Sequence, residues 1–143
     1  MAIFDPVQFA GEWYEIASFP VFFQQGCRNT TATYAVQSAT NLAVLNECVT
    51  ADGQEQIAGS AEVVGPGRLV VRLDGVPFGA DYWVLWVDQD YQTAVVGVPS
   101  GRAGWVLNRA PVISADRLAA AQDVLRFNGY DVSQLVMTQQ GAF

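Results

Sequence analysis

Short segments rich in Val, Thr, Tyr, Trp and Leu alternate along most of the chain with clusters of Gly, Pro, Asn and Asp. The clusters recur at a spacing of roughly 10 to 14 residues, which is typical of strands joined by short turns. Eight antiparallel strands in this order can close on themselves, which removes both edges and leaves an interior able to hold one small ligand. We therefore predict an all-β fold, an eight-stranded antiparallel up-and-down β-barrel. The predicted strands are 13–18, 31–37, 42–49, 54–64, 68–74, 82–87, 92–98 and 104–109.

A segment with a helical period follows Pro111 near the end of the chain. Ser114 is placed to cap it, Asp116 falls in its first turn, and Gly129 is a stop signal. Its apolar stripe is moderate and its other face is charged, so the helix is predicted to pack against the outside of the barrel. A last short strand is predicted at 133–138. The stripe consists of Leu118, Ala121 and Leu125, and the charged face of Arg117, Asp123 and Arg126.

The side chains of a strand point alternately to its two faces, so inward-facing residues can be read from the strands. In the segment 68–74 aliphatic residues alternate with Arg68 and Arg72, and the aliphatic set is assigned to the interior because an unpaired arginine is costly there. The segment 82–87 is apolar on both faces, and its predicted register places Trp86 inside. The predicted ligand-binding residues are Tyr34, Val44, Asn46, Leu69, Val71, Leu73, Tyr82, Val84, Trp86 and Trp105.

Composition narrows the function further. The chain of 143 residues carries a formal net charge of −7, with no lysine and no histidine. A negative protein repels nucleic acid, and the missing imidazole and amine groups remove the usual general bases, Schiff-base nucleophiles and histidine metal ligands. The apolar runs are far shorter than the roughly 20 residues of a membrane-spanning helix. We expect a single domain over 1–143, with no metal, no cofactor, no nucleic-acid partner and no transmembrane segment.

Three short motifs occur in order along the chain. Gly11 and Trp13 open the first strand in the run GEWYEIA, Asp90 and Tyr91 lie between two later strands, and Arg109 ends the strand that follows. Together they resemble the motifs of the lipocalin family, and in particular its bacterial lipocalin and apolipoprotein D branch. The resemblance covers nearly the whole chain. It implies a barrel built around an open apolar cup that binds a fatty acid or lysophospholipid.

The first and last of these motifs suggest a structural pair. An arginine stacked on an indole at the closed end of a barrel gains cation–π energy while it plugs the base. We therefore assign Trp13 and Arg109 to structure and not to ligand contact. Trp105 shares a face with Arg109 and lies higher on the interior wall, which makes it the leading ligand-contact candidate. The alternative is that these aromatic residues fill a solid core, because a small eight-stranded barrel can be packed shut.

The two cysteines, Cys27 and Cys48, lie on either side of the turn 38–41. Chain geometry brings them near each other, but the midpoint between them is offset from the midpoint of the turn. A disulfide would therefore be diagonal or need a bulge. We predict this disulfide, which implies an oxidising compartment; the alternative is two buried thiols.

Three functions remain open. The first is a carrier of a small hydrophobic ligand, which needs an arginine near the mouth if the ligand is anionic. The second is a barrel-type enzyme, for which Glu15, Asn46 and Tyr34 are the only interior polar groups to nominate. The third is a filled barrel that acts through its surface or as an oligomer. We favour the carrier, as a monomer or weak dimer that is periplasmic, outer-membrane associated or secreted; membrane association would follow if a lipidated leader had been removed.

Overall fold

The computed structural model of the protein describes residues 3–19, 27–101 and 103–141. A strand lies at each of the eight predicted places, so the strand pattern is confirmed. Within the described ranges no helix is long and apolar enough to cross a membrane. The strands are β1 (Gly11–Ser18), β2 (Arg28–Val36), β3 (Asn41–Thr50), β4 (Gly53–Gly65), β5 (Arg68–Leu73), β6 (Ala80–Val87), β7 (Thr93–Gly97), β8 (Gly104–Asn108) and β9 (Val136–Met137), and the helices are α1 (Pro6–Phe9) and α2 (Ala115–Phe127).

The strands form one sheet in the order β2-β3-β4-β5-β6-β7-β8-β1-β9, and an additional pairing of β1 with β2 closes it. The neighbouring strands are antiparallel. Along β1 the partner changes, because the first part of the strand pairs with β2 whereas Ala17 and Ser18 pair with β9. The predicted eight-stranded barrel is thus confirmed, with one extra strand at its seam.

The last strand is shorter than predicted. Instead of a strand over 133–138, a 3₁₀ turn at Val132–Gln134 precedes the two-residue β9. The side chain of Asp131 accepts hydrogen bonds from the amide and the hydroxyl of Ser133, at 3.0 and 2.6 Å. An aspartate that bonds two residues ahead favours a turn over a strand.

Apolar side chains form two clusters, one inside the barrel and one between its wall and α2. The inner cluster packs the closed end of the barrel around Trp13, and its members Tyr34, Val44 and Leu107 also line a cavity toward the other end. Its buried members are Phe9, Trp13, Tyr34, Leu42, Val44, Ala61, Leu69, Val84, Tyr91, Ala94, Val96 and Leu107. Those of the outer cluster are Ile16, Ala17, Phe19, Val95, Val106, Ala121, Leu125 and Tyr130.

Among the described residues, the pairing of the strands shifts at four places, and two of these shifts are bulges that interrupt the in-and-out alternation of β1 and β6. In β6 the pairing with β7 shifts between Val84 and Trp86, and in β1 the pairing with β8 shifts between Glu15 and Ala17. A bulge adds one residue to its strand, so the residues beyond it change faces. As a result Leu85 and Trp86 both pack against the outer cluster. The prediction that Trp86 faces the interior is therefore wrong.

Helix α2 lies outside the barrel, as predicted. Ser114 caps it by accepting a hydrogen bond from the amide of Arg117 at 3.3 Å. Ala121 and Leu125 are fully buried against the barrel. Arg117 lies on the predicted charged face, but its guanidinium reaches back to the carboxylate of Asp88 at 2.9 Å. This ion pair ties the helix to the turn before β7.

A disulfide joins Cys27 to Cys48, with their Cα atoms 5.4 Å apart. The pairing of β2 with β3 shifts between Arg28 and Thr31, so a bulge lies close to Cys27. The predicted disulfide and its predicted irregularity are both present. The bond fastens the start of β2 to the far end of β3.

Reduction of this disulfide is expected to lower the free energy of unfolding by about 3 kcal/mol, because it frees the loop between two cysteines that are 21 residues apart. Urea denaturation with and without a reducing agent measures the change. The control is the double variant Cys27→Ser/Cys48→Ser, which should match the reduced protein and be insensitive to the reducing agent. An unchanged midpoint on reduction would contradict the expectation.

Candidate functional site

A cavity of about 170 Å³ lies in the upper part of the barrel, at the end away from Trp13. Its wall is mostly apolar, and Ala80 and Asp81 are exposed at its mouth. Leu69 and Val84, which were predicted to contact ligand, are buried in the inner cluster and are not among the lining residues. The predicted residues that line the cavity are Tyr34, Val44, Asn46, Val71, Leu73, Tyr82 and Trp105.

The closed end of the barrel is built around Trp13 and Arg109. The guanidinium carbon of Arg109 lies 3.7 Å from the centroid of the indole ring. The guanidinium also donates to the carbonyl oxygens of Gln8, Glu12 and Tyr91, at 2.7, 3.0 and 3.0 Å. An arginine held in this way joins three separate stretches of chain, which is a structural role.

The turn before β7 holds the remaining motif residues. Tyr91 adopts a left-handed backbone conformation with φ of 53°, and its hydroxyl accepts a hydrogen bond from the amide of Asp5 at 2.9 Å. Asp90 is exposed. It is the carboxylate of Asp88 that accepts the amides of Gln92 and Thr93, at 2.7 and 2.8 Å. The Asp90–Tyr91 motif located this turn in the sequence, but the sequence analysis did not identify Asp88 as the residue that holds the turn together.

A tyrosine pair crosses the cavity. The hydroxyl oxygens of Tyr34 and Tyr82 are 2.8 Å apart, and the ring of Tyr82 stacks on Trp105 with centroids separated by 5.7 Å. Burial raises the pKa of Tyr34 to about 12 and that of Tyr82 well above its ordinary value. Both phenols are therefore neutral at physiological pH, and the pair presents hydroxyls and a flat aromatic surface to the cavity.

Glu15 is the most buried ionisable carboxyl group of the cavity lining, with only 6% of the residue exposed. The hydroxyl of Thr138 donates to its Oε2 at 2.6 Å. Burial among apolar side chains raises the pKa of Glu15 from 4.5 to about 7, and the bond from Thr138 opposes this shift. Glu15 faces inward because it lies two residues after the inward-facing Trp13 on β1. The bulge follows Glu15, so Ile16 and Ala17 both face the outer cluster.

Sequence reasoning missed several lining residues that lie near strand ends or at the seam. Thr30 lies within the bulge of β2 and Thr31 directly after it, Ala80 and Asp81 begin β6, and Val98 follows β7. Alternation within each strand gave no signal for Thr30, because its position depends on the bulge and on the neighbouring β1. Polar residues at the irregular start of a strand are the sequence pattern that could have suggested that Thr30 lines the cavity.

The sequence comparisons agree with this geometry. A family model described as a lipocalin-like domain matches residues 4–140. The chain is 35% identical to temperature-induced lipocalin-1 of Arabidopsis thaliana, over 93% of this chain and 77% of that protein. It is 33% identical to outer membrane lipoprotein Blc of Escherichia coli K12, over 96% and 80%. It is 30% identical to apolipoprotein D of Bos taurus, over 96% and 77%.

Solved structures share the architecture at low sequence identity. Lobster apocrustacyanin A1 superposes with a TM-score of 0.80 at 16% identity, over 95% of this chain and 79% of that one. Insecticyanin from the tobacco hornworm Manduca sexta gives a TM-score of 0.78 at 22% identity, over 97% and 82%. At these identities the likeness concerns the fold.

Proposed function

The chain belongs to the lipocalin family, and from that premise we propose that it binds one small hydrophobic or amphiphilic ligand in the cavity beside Trp105. The observation that carries this proposal is the cavity itself. Its wall is mostly apolar, it is open at one end, and a few polar groups converge in it, as in most small-molecule sites. The packed lower part of the barrel leaves the upper part for the ligand.

The volume restricts how such a ligand fits. A cavity of about 150 Å³ in another protein holds benzene, so the 170 Å³ present here accommodates a ring or part of an alkyl chain. Typical ligand pockets are larger, about 300 to 1,000 Å³. A fatty acid or lysophospholipid, the class that we propose, would therefore enter chain-first and leave its head group in solvent outside the mouth.

We further propose that the protein binds without chemistry and that it works in an oxidising compartment, as a periplasmic, outer-membrane-associated or secreted protein. The disulfide supports the compartment, because such bonds persist where thiols are not kept reduced. One relative is an outer membrane lipoprotein by name. The absence of lysine and histidine from the whole sequence supports a binding role over catalysis.

Titration with a brominated fatty acid or lysophospholipid is expected to give saturable tryptophan quenching, because bromine on a bound chain would lie near the Trp105 indole. Trp105→Phe should remove most of the quenching while native mass spectrometry still detects the bound lipid. The matched control is Trp83→Phe, since Trp83 lies outside under Arg68, whose guanidinium is 4.7 Å from its ring. Absence of saturable quenching by either lipid, or equal loss in both variants, would contradict the proposal.

A further inference from the structure

Two polar residues on neighbouring strands line the cavity. The register pairs Tyr14 of β1 with Thr31 of β2, so the next residues in the two antiparallel strands, Glu15 and Thr30, approach one another. The side-chain amide of Gln140 donates to the carbonyl oxygens of both residues, at 2.8 and 2.9 Å. Both residues line the cavity. A carboxyl-bearing and a hydroxyl-bearing residue therefore lie on neighbouring strands at the seam of the barrel.

The hydroxyl of Thr30 lacks a hydrogen-bond partner although it is buried. Only 9% of this residue is exposed. Buried polar atoms are nearly always paired, so an orphan beside a cavity calls for an explanation such as a group that binds there. A ligand with both donor and acceptor capacity could bond to Thr30 and to the carboxylate of Glu15 at once.

In the described part of the chain, the charged side chains that line the cavity are all acidic. Among the described residues that line it, Glu15 and Asp81 are acidic and none is basic. Three of the arginines hold other groups: Arg109 stacks on the base, and Arg117 and Arg126 pair with carboxylates on or beside α2. A carboxylate or phosphate placed deep in this cavity would face a like charge, whereas an ammonium group would be attracted.

We propose that Glu15 and Thr30 form a head-group site inside the cavity, and that this site selects a compact hydrophobic ligand carrying a primary amine over one carrying a carboxylate. The amine nitrogen would donate to the Glu15 carboxylate and to the Thr30 hydroxyl. The hydrophobic part would lie against the Tyr82 and Trp105 rings, which are stacked 5.7 Å apart. The inference rests on the proposed function, because it assumes that the cavity holds a ligand. It concerns compact ligands that enter head-first, whereas a fatty acid or lysophospholipid enters chain-first and keeps its head group outside.

Isothermal titration with octylamine, octanol and octanoate tests this site, because the three probes share one chain and differ in the head. At about pH 8, where Glu15 is largely ionised since its pKa is about 7, we expect octylamine to bind most tightly and octanoate least. Glu15→Gln should weaken octylamine about tenfold or more, the effect of losing one charge-assisted hydrogen bond. The same change should alter octanol binding by less than about threefold. Thr30→Val should weaken octylamine by a smaller factor and leave folding intact, because it removes an unpaired group.

Two matched variants separate this site from simpler explanations. Glu12→Gln removes the same charge from the exposed part of the same strand and should leave octylamine affinity unchanged. Asp81→Asn removes the charge at the mouth and should weaken octylamine by a smaller factor than Glu15→Gln, because Asp81 is exposed to solvent. Octanoate binding as tightly as octylamine, or loss of octylamine affinity in Asp81→Asn and not in Glu15→Gln, would overturn the inference while leaving the proposed function in place. Failure of all three probes and of the brominated lipids would overturn both.

Discussion

Replacing Arg109 with methionine is expected to lower the free energy of unfolding by about 3 kcal/mol or more. The guanidinium donates to three backbone carbonyl oxygens and stacks on Trp13. Hydrogen bonds from charged groups contribute about 1.5 to 3 kcal/mol each when buried, and a cation–π contact contributes about 0.5 to 2 kcal/mol. These values are not additive and the site is partly exposed, so the expected total is smaller than their sum. Urea denaturation of the variant and the parent protein measures the difference.

Two further variants make the result interpretable. Arg126 lies on the exposed side of α2 and pairs with the exposed Asp123; Arg126→Met removes the same charge and is expected to change stability by less than about 0.5 kcal/mol. Arg109→Lys keeps the charge but loses the planar fork that reaches several carbonyls, so it should recover less than half of the loss. A cost for Arg109→Met as small as that for Arg126→Met would show that the stack does not hold the base together.

Most of the fold could be read from local patterns. Turn residues at regular intervals marked the strands, and the cap at Ser114 with the stop at Gly129 marked α2. Such signals are local, because each depends on the conformation of a few adjacent residues. The pairing of Trp13 with Arg109 was suggested by residue chemistry together with the family motifs. These features need no knowledge of how distant strands are aligned.

The interior was less predictable, because a bulge leaves little trace in the sequence. Where charged residues mark the outer face, as Arg68 and Arg72 do in β5, the opposite face lies inside as predicted. Both faces of β6 are apolar. The run from Tyr82 to Val87 therefore contains no sequence signal for the bulge that turns Trp86 toward α2. A one-residue change of register moves every later side chain to the other face.

The head-group site depends on contacts between distant parts of the chain. Thr138 reaches Glu15 across 123 residues, and Gln140 reaches Thr30 across 110. The C-terminal residues cover the seam where β1 leaves β2 and pairs with β9. Sequence reasoning nominated Glu15 only as a possible catalytic group, because strand alternation does not tell how deeply a carboxyl group is buried.

The burial of Glu15 is expected to make stability depend on pH, in a direction opposite to that of ordinary surface carboxylates. The pKa of Glu15 is about 7 in the folded protein and 4.5 when unperturbed. Below about pH 4.5 the carboxyl group is protonated in both the folded and the unfolded state, so its burial does not lower the free energy of unfolding by this route. Between about pH 4.5 and 7 the unfolded chain loses this proton while the folded protein keeps it, so stability falls as pH rises. Above about pH 7 the loss levels off at about 3 kcal/mol.

Glu15→Gln isolates this effect, because glutamine keeps an oxygen that can accept from Thr138 and has no charge to bury. The free energy of unfolding of the variant, minus that of the parent protein, should increase by about 3 kcal/mol between about pH 4.5 and pH 8. Asp5 and Asp131 have lowered pKa values and add stability as pH rises in the acid range, but they are common to both proteins and cancel in the difference. Denaturation midpoints across this range measure this difference, with Glu12→Gln as the control that should show no such increase.

A difference that does not change with pH would mean that water or a bound cation stabilises the Glu15 carboxylate, and it would remove the electrostatic basis for amine selection. A difference that rises as expected means that the folded protein holds a costly charge which an amine ligand would neutralise, so stability and ligand preference have the same physical origin.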